Sequence, residues 1–289
     1  MSAMELVESV LTATKYIVDM LVGFAIARRL GIRVPSQLFT ATVVPLILIV
    51  AMLAAPAFTR EALGVILTSF VYAILPMASS ALAALALTRG RLTGETARPS
   101  HGFAASVIVA LLAGFALGAA GLPAPTWLID PLLLLLVFLA GLELGSHREL
   151  RFDLGLATLP LASLAGSLAA SLALYPLTGV TPAVAAGMGW YTFTGPYLYT
   201  ASGDPRLAAI GFLANLIREQ IAIIIVPLAA HRIPLAAAVA LGGVTTMDTT
   251  LPIYVATYGP RGALAAATHG AILTLLVPIL VPLVYTLLH

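Results

Sequence analysis

The residues that could do chemistry are concentrated between Gly187 and Leu251, in a chain that is otherwise almost continuous hydrocarbon. They lie in three blocks, GMGWYTFTGPYLYT, GFLANLIREQIAIII and LGGVTTMDTTLP. A charge at the centre of a spanning helix costs about 2.5 to 3.5 kcal/mol on insertion scales, and a broken helix leaves backbone groups that lipid cannot satisfy. We therefore expect this region to face a protein interior or a watery cavity and to form the substrate site.

The second block presents an amide, a cation and a carboxylate within about one helical turn. Asn215 lies three residues before Arg218 and four before Glu219, so one helical face could present all three. Asp248 is the natural partner for Arg218, because it is the only ionisable residue of the third block. Two interpretations stay open. In one, Arg218 and Asp248 form a structural pair; in the other, a carboxylate holds a cationic ligand and releases it on protonation, while Arg218 or free amides hold an anionic group.

The first and third blocks add neutral donors and acceptors. These side chains are predicted either to contact the ligand or to cap the broken backbone. They are Tyr191, Thr192, Thr194, Thr246 and Thr249. Elsewhere, Ser163, Ser167 and Ser171 recur every four residues on one face of a predicted helix. Small side chains at this spacing let helices approach closely, so we expect these serines to be packing residues.

Three further ionisable residues fall inside predicted membrane segments. Asp19 follows Lys15 by four residues and could pair with it, or it could be a further intramembrane carboxylate of the site. Glu143 lies about one turn before Arg148. Its side chain could extend to the membrane–water interface, or it could contact a cationic substrate. His269 could be a hydrogen-bonded packing residue or a proton carrier.

Composition excludes several classes of protein. Apolar residues make up 61% of the chain and charged residues only 9%, which excludes an ordinary soluble domain. There is no cysteine, so disulfides and thiolate metal sites are excluded. The net charge of +2 comes from scattered arginines and predicts no nucleic-acid partner. Nucleotide-binding, zinc-protease and hydrolase motifs are absent, so we expect a protein that is not an enzyme and holds no cofactor or metal.

The hydropathy pattern predicts an all-α integral membrane protein with ten membrane segments: eight full transmembrane helices plus two broken or re-entrant segments, 181–203 and 235–258. Arg28 ends the first segment, which places the N-terminus outside the cell by the positive-inside rule. If the two broken segments are hairpins, Arg232 and Arg261 both fall in the cytoplasm, which the same rule favours. In either arrangement the C-terminus is outside, and we expect a multi-pass protein of the cell membrane.

The chain divides into an N-terminal membrane half, 1–150, and a C-terminal half, 151–289, that carries the polar motifs. Five segments in each half would give the halves opposite orientations, so they could be inverted repeats. In the first half, the second and third segments are predicted at about 38–58 and 62–87. Broken segments near the middle of the bilayer are typical of secondary transporters, and we interpret the chain as one.

The polar blocks resemble the LysO-type lysine exporter family. GMGWYTFTGPYL, IGFLANLIREQIAIIIVPL, GGVTTMDTTLPI and ATHGAILTLLVPILVP match that family's signature blocks in order and spacing, and FLAGLELGSHREL resembles the preceding segment. The resemblance implies an inner-membrane exporter of L-lysine and toxic lysine analogues that needs intramembrane acidic residues. Asp248 and Glu219 fall on two of the family's acidic positions, and Asp19 is carried over to a third.

An inside-negative potential draws a cationic amino acid inward, at about 2.3 kcal/mol per charge per 100 mV, so export needs a driving ion. The resemblance therefore implies export of lysine, or of a related cationic amino acid, in exchange for protons, with sodium left open. Two alternatives also stay open: a monovalent cation/proton antiporter on a similar broken-helix fold, and a non-transporting membrane receptor. The sequence gives no indication of oligomeric state.

Overall fold

The computed structural model describes residues 3–32, 35–88, 102–146, 154–229, 232–247 and 250–288. Within these ranges all regular structure is helical. The helices are α1 (Ala3–Leu30), α2 (Ser36–Thr88), α3 (Gly102–Ala119), α4 (Ile129–Ser146), α5 (Leu154–Thr178), α6 (Ala183–Ala186), α7 (Tyr191–Ser202), α8 (Pro205–Ala229), α9 (Leu235–Gly242) and α10 (Leu251–Leu288). Short 3-10 turns lie at Thr126–Leu128 and Gly243–Met247. The predicted all-α class is confirmed.

Several helices are long and apolar enough to cross a membrane. In the part of the chain that the structure describes, four qualify by length and composition: Leu63–Leu87, Thr158–Thr178, Pro205–Ala229 and Arg261–Leu288. Shorter apolar stretches follow the same pattern, among them Ala41–Leu53 in α2. Helical segments of this length and composition are typical of a multi-pass membrane protein.

Two predicted segments, 38–58 and 62–87, lie in one continuous helix. α2 has 53 residues, which extend about 80 Å at 1.5 Å per residue, more than twice the ~30 Å of a hydrocarbon core. The stretch between the two apolar portions, 57–62, contains neither glycine nor proline, so nothing in it forces the helix to end. The count of ten separate segments therefore stays a prediction, as do the inverted repeats.

Helices α1 and α4 pack closely because glycines face the opposite backbone. A Cβ atom at Gly141 would meet the carbonyl oxygen of Met20, and one at Gly23 would meet that of Phe138. Gly166 on α5 faces the backbone of Ser79 on α2 in the same way. On α5 it is thus Gly166 that permits a close approach to α2.

Both polar blocks predicted to be broken are interrupted. α6 ends at Ala186, and after Gly187 the chain passes through positive φ at Met188 (50°) and Gly189 (94°) before α7 begins. α9 ends at Gly242, after which Gly243 adopts φ 66° and ψ −132° and a 3-10 turn follows. Such backbone angles are open to glycine at little cost and cannot continue a helix. In the first block, irregular backbone separates the short helices α6 and α7. In the other, α9 changes at Gly243 into a 3-10 turn.

Candidate functional site

The two interruptions touch each other. The Val244 N–H donates a hydrogen bond of 2.9 Å to the Met188 carbonyl oxygen, which joins the irregular backbone of one block to that of the other. A Cβ atom at Gly243 would meet that same oxygen, so only glycine permits the approach. We call this meeting point the crossing and define it as residues 187–190 and 242–244. Several of the side chains predicted from the sequence contact it, namely Asn215, Arg218, Thr194, Thr246 and His269.

Asn215 on α8 holds the first interruption. Its side chain is buried, with 3% of its surface exposed. The Oδ1 atom accepts a 2.7 Å hydrogen bond from Gly189 N–H, and Nδ2 donates to the carbonyl oxygens of Val184 (2.9 Å) and Gly211 (2.8 Å). One amide thus satisfies backbone groups on both sides of the interruption, which neither helical piece can satisfy internally.

Arg218 lies one turn further along α8 and holds the second interruption. Its Nε donates to the Leu241 carbonyl oxygen at 3.1 Å, and Nη2 donates to that of Ala240 at 2.8 Å. Both carbonyls belong to the last turn of α9. The guanidinium is buried to the same degree as Asn215. Its weaker contacts are with Ser80 Oγ, Ser167 Oγ and Met188 Sδ, at 3.4 to 3.6 Å.

No carboxylate of the described residues forms an ion pair with Arg218. The predicted partner, Asp248, and the predicted site residue Thr249 lie outside the described residues. The Arg218–Asp248 pair therefore stays a prediction. Glu219, next to Arg218 on α8, is buried with 3% exposure and so lies inside the protein at the level of the crossing.

Two of the predicted threonines contact interrupted backbone. Thr194 donates to the Trp190 carbonyl oxygen at 2.8 Å, in the first turn of α7. Thr246 Oγ1 lies 2.8 Å from the carbonyl oxygens of both Gly243 and Ala266. The Thr246 contact with Gly243 fits the predicted capping of broken backbone, whereas Thr194 adds a second bond to a carbonyl that its own N–H already contacts at 2.9 Å.

The remaining first-block candidates are buried beside these threonines. Thr192 is 6% exposed and Tyr191 is 5% exposed. The Tyr191 ring meets Phe212 of α8 edge to face, with 5.4 Å between ring centroids. This contact places Tyr191 between α7 and α8, within the same buried layer as Asn215.

His269 on α10 reaches the crossing from the opposite side to α8. Its Nδ1 lies 3.2 Å from the Gly243 carbonyl oxygen and 3.5 Å from Thr246 Oγ1. Because a carbonyl oxygen only accepts, Nδ1 carries the proton and donates it. The ring is completely buried, and Nε2 has no hydrogen-bond partner among the described residues. His269 thus presents an unused acceptor beside the second interruption.

The other candidates lie apart from these contacts. Lys15 does not take Asp19 as its ion-pair partner; its Nζ lies 2.5 Å from Oδ1 of Asp130, in the first turn of α4. Asp19 keeps an intermediate exposure, and its buried Oδ2 has no partner among the described residues. The backbone of Glu143 lies in α4, but its side chain is outside the described part of the structure.

Sequence reasoning missed the serines that surround Arg218. Ser167 also donates to the Ala185 carbonyl oxygen at 3.1 Å, so it links α5 to the first interruption as well as to Arg218. Ser80 is completely buried on α2 and comes from a different part of the chain. The period-four serine pattern indicated only packing, because nothing in the local sequence shows that an arginine lies opposite.

Comparisons with known proteins identify a family that matches the part of the chain containing this site. The family model described as "Lysine exporter LysO" matches residues 108–285, a range that contains the whole crossing. A protein of Escherichia coli (strain K12) named "Lysine exporter LysO" is 43% identical over 84 residues. That alignment covers 29% of this chain and 28% of the relative's length. The family match therefore extends over more than half of the chain.

Proposed function

This chain belongs to the lysine exporter LysO family, and from that membership we propose that it is a secondary-active exporter of L-lysine and toxic lysine analogues that works in exchange for protons. The observation that carries the proposal is the polar layer of Asn215, Arg218 and Glu219, buried where two interrupted segments meet. Ionisable groups are expensive inside a membrane and persist where they serve a ligand or an ion. The family is one of transporters, not enzymes.

The chemistry of lysine suits a site built on carboxylates. At neutral pH lysine carries two ammonium groups and one carboxylate, with a net charge of +1. We assign Glu219 and Asp248 to the ammonium groups, because each supplies acceptor oxygens and can take up a proton when the ligand leaves. Neutral contacts would come from Tyr191, Thr192, Thr194, Thr246 and Thr249. We assign Asp19 and Glu143 to the route by which the cationic substrate passes through the protein.

Arg218 and Asn215 have a different part in this proposal. Both side chains already donate hydrogen bonds to interrupted backbone at the crossing. We therefore propose that they fix the geometry in which Glu219 and Asp248 meet the ligand. Pre-positioned groups of this kind lower the ordering cost of binding.

Coupling to protons follows from the charge of the substrate. Export moves one positive charge against an inside-negative potential, at a cost of about 2.3 kcal/mol per 100 mV. Exchange of one proton per lysine is electroneutral and draws on the pH gradient alone, whereas two protons per lysine also use the voltage.

In this proposal the protein lies in the inner membrane with both termini outside.

The test is counterflow of labelled L-lysine into proteoliposomes. We expect saturable uptake by the wild-type protein and at least a ~10-fold loss in Glu219→Gln and in Asp248→Asn, since each change removes a charge that holds the ligand. Asp204→Asn is the matched control: the same chemical change at an exposed residue whose Oδ1 accepts from Arg206 N–H, a bond that asparagine can keep.

Three results would contradict the proposal. Absence of lysine uptake with cation-dependent proton release would replace the exporter with a monovalent cation/proton antiporter. Absence of both fluxes would replace it with a non-transporting receptor. Full activity in both variants would move the site away from Glu219 and Asp248.

A further inference from the structure

Every carbonyl group in the last turn of α9 accepts a hydrogen bond. The last carbonyl groups of a helix have no partners inside the helix and carry a partial negative charge. In α9 the Val239 oxygen accepts from Gly243 N–H, and the Gly242 oxygen accepts from Thr245 Oγ1 at 3.1 Å. The two carbonyls between them, at positions 240 and 241, accept from Arg218. Each of the four terminal carbonyls thus has a donor.

The donor to the middle two carbonyls is a charged group. Transporters with interrupted helices use unwound carbonyls and helix C-terminal ends to coordinate coupling cations such as sodium. Here the guanidinium of Arg218 contacts two such carbonyls at 2.8 and 3.1 Å. It is buried, and no described carboxylate pairs with it. Its positive charge therefore faces the negative end of a helix, as a bound metal cation would.

We propose that Arg218 is a resident cation of the crossing: its guanidinium occupies the position at the end of α9 that a coupling metal cation would otherwise take, so that the protein needs no sodium. This inference rests on the proposed function in one respect, since it assigns the coupling of that exporter to protons alone. Arg218 is then a positioning residue, which holds the C-terminal end of α9 against α8.

The contacts of the guanidinium argue against the rival role, binding of the substrate carboxylate. Nε and Nη2 are already engaged with backbone oxygens, and the remaining nitrogen, Nη1, faces Ser167 Oγ and Met188 Sδ. A substrate carboxylate would have to displace a carbonyl of α9 or enter beside the buried Met188. Cadaverine, which is lysine without its carboxylate, separates the two roles.

The first experiment compares sodium, potassium and choline salts at equal ionic strength. For the wild-type protein, the melting temperature in detergent should be the same in all three, and lysine counterflow should differ by less than about twofold. A coupled sodium ion would change the apparent affinity for lysine by about 5- to 150-fold. Higher stability or faster counterflow of the wild type in sodium would overturn the proposal.

The second experiment removes the resident cation. In Arg218→Ala the two carbonyls lose their donors, so the melting temperature should fall and should be partly restored by sodium or methylguanidinium, but not by choline. Arg218→Lys keeps the charge but not the planar guanidinium that donates from two nitrogens, so its melting temperature should lie between those of the wild type and Arg218→Ala. Asn215→Ala is the matched control, since it removes neutral hydrogen bonds at the same crossing and should show no cation-selective recovery.

The outcomes separate this inference from the proposed function. The melting experiments do not require lysine transport, so they decide on the resident cation even if no lysine flux is found. If Arg218→Ala does not fold, two other results still test whether Arg218 replaces a metal cation. They are the salt comparison of the wild-type protein and the melting temperature of Arg218→Lys. If Arg218→Lys loses the preference for lysine over cadaverine and keeps its melting temperature, Arg218 binds the substrate carboxylate and the proposal is wrong.

Discussion

His269 shows how one side chain can be assigned a role from its two nitrogen atoms. Nδ1 donates to the Gly243 carbonyl oxygen, so this nitrogen serves the backbone of the crossing. That contact favours the packing role over the proton-carrying role, which the sequence left open.

We predict that His269→Asn retains transport and its pH profile, while His269→Gln loses stability. The amide nitrogen of asparagine falls near the position of Nδ1 and can donate to Gly243, whereas that of glutamine falls near Nε2. The loss of the bond should cost about 0.5 to 1.5 kcal/mol of unfolding free energy, the net value of one hydrogen bond, because Thr246 Oγ1 still lies 2.8 Å from the Gly243 oxygen. Thermal unfolding and the pH dependence of counterflow measure the two effects. A shifted pH profile in His269→Asn would show that the histidine carries protons.

The sequence predicted several of these residues and missed others for one physical reason. Asn215 and Glu219 could be identified because a polar residue in an apolar helix is costly and needs a partner. The partners themselves could not be identified. Lys15 contacts Asp130, more than a hundred positions away in the chain, and Arg218 contacts backbone carbonyls, which every residue possesses.

At the scale of the helices, the interruptions were predictable where glycine is required. The glycine pairs flanking Met188 and at 242–243 correctly indicated that the two blocks are broken. The predicted segments 38–58 and 62–87 lie in one helix, because polar residues such as Arg60 and Glu61 do not end a helix when their backbone can stay hydrogen-bonded. Hydropathy alone therefore does not show where a helix ends.

Gly243 offers a test of the crossing as a structural unit. We predict that Gly243→Ala abolishes counterflow and lowers the melting temperature strongly, because its Cβ would meet the Met188 carbonyl oxygen and its φ is 66°. Gly203→Ala is the matched control: φ is 68°, yet nothing lies within 4 Å of the added methyl group. The control should lose only about 1 kcal/mol for the left-handed backbone. Equal losses in both variants would mean that the close approach at the crossing has no special role.

At the scale of the whole molecule, hydropathy was sufficient for the class but not for the arrangement. Any sequence of this composition would be assigned to membrane helices. That α1 packs on α4 depends on complementary surfaces: Gly23 and Gly141 admit the opposite backbones, and this fit is not encoded in either helix alone. Local sequence patterns do not predict long-range complementarity of this kind.

The membrane topology can be tested directly because the chain contains no cysteine. We predict that Ala120→Cys reacts with a membrane-impermeant maleimide in intact cells, and that Ala97→Cys reacts only after permeabilisation. Arg232→Cys decides between the two arrangements of the broken segments, and we expect it to react only after permeabilisation, as for re-entrant hairpins. Reaction of Arg232→Cys in intact cells would show that each broken segment crosses the bilayer. The cysteine-free parent is the control for unspecific labelling.

The hydrogen bond from Val244 to Met188 also sets an order for biosynthesis. Asn215 is made early enough to secure the first interruption as soon as α8 enters the membrane. The Met188 oxygen, however, must wait for a donor that follows by roughly 3 to 11 s at ~5–20 residues per second of translation. If residues 187–190 entered the hydrocarbon core during that interval, lipid could not supply the missing donor. We therefore expect them to stay next to the translocation machinery, or next to water, until the third block has been synthesised.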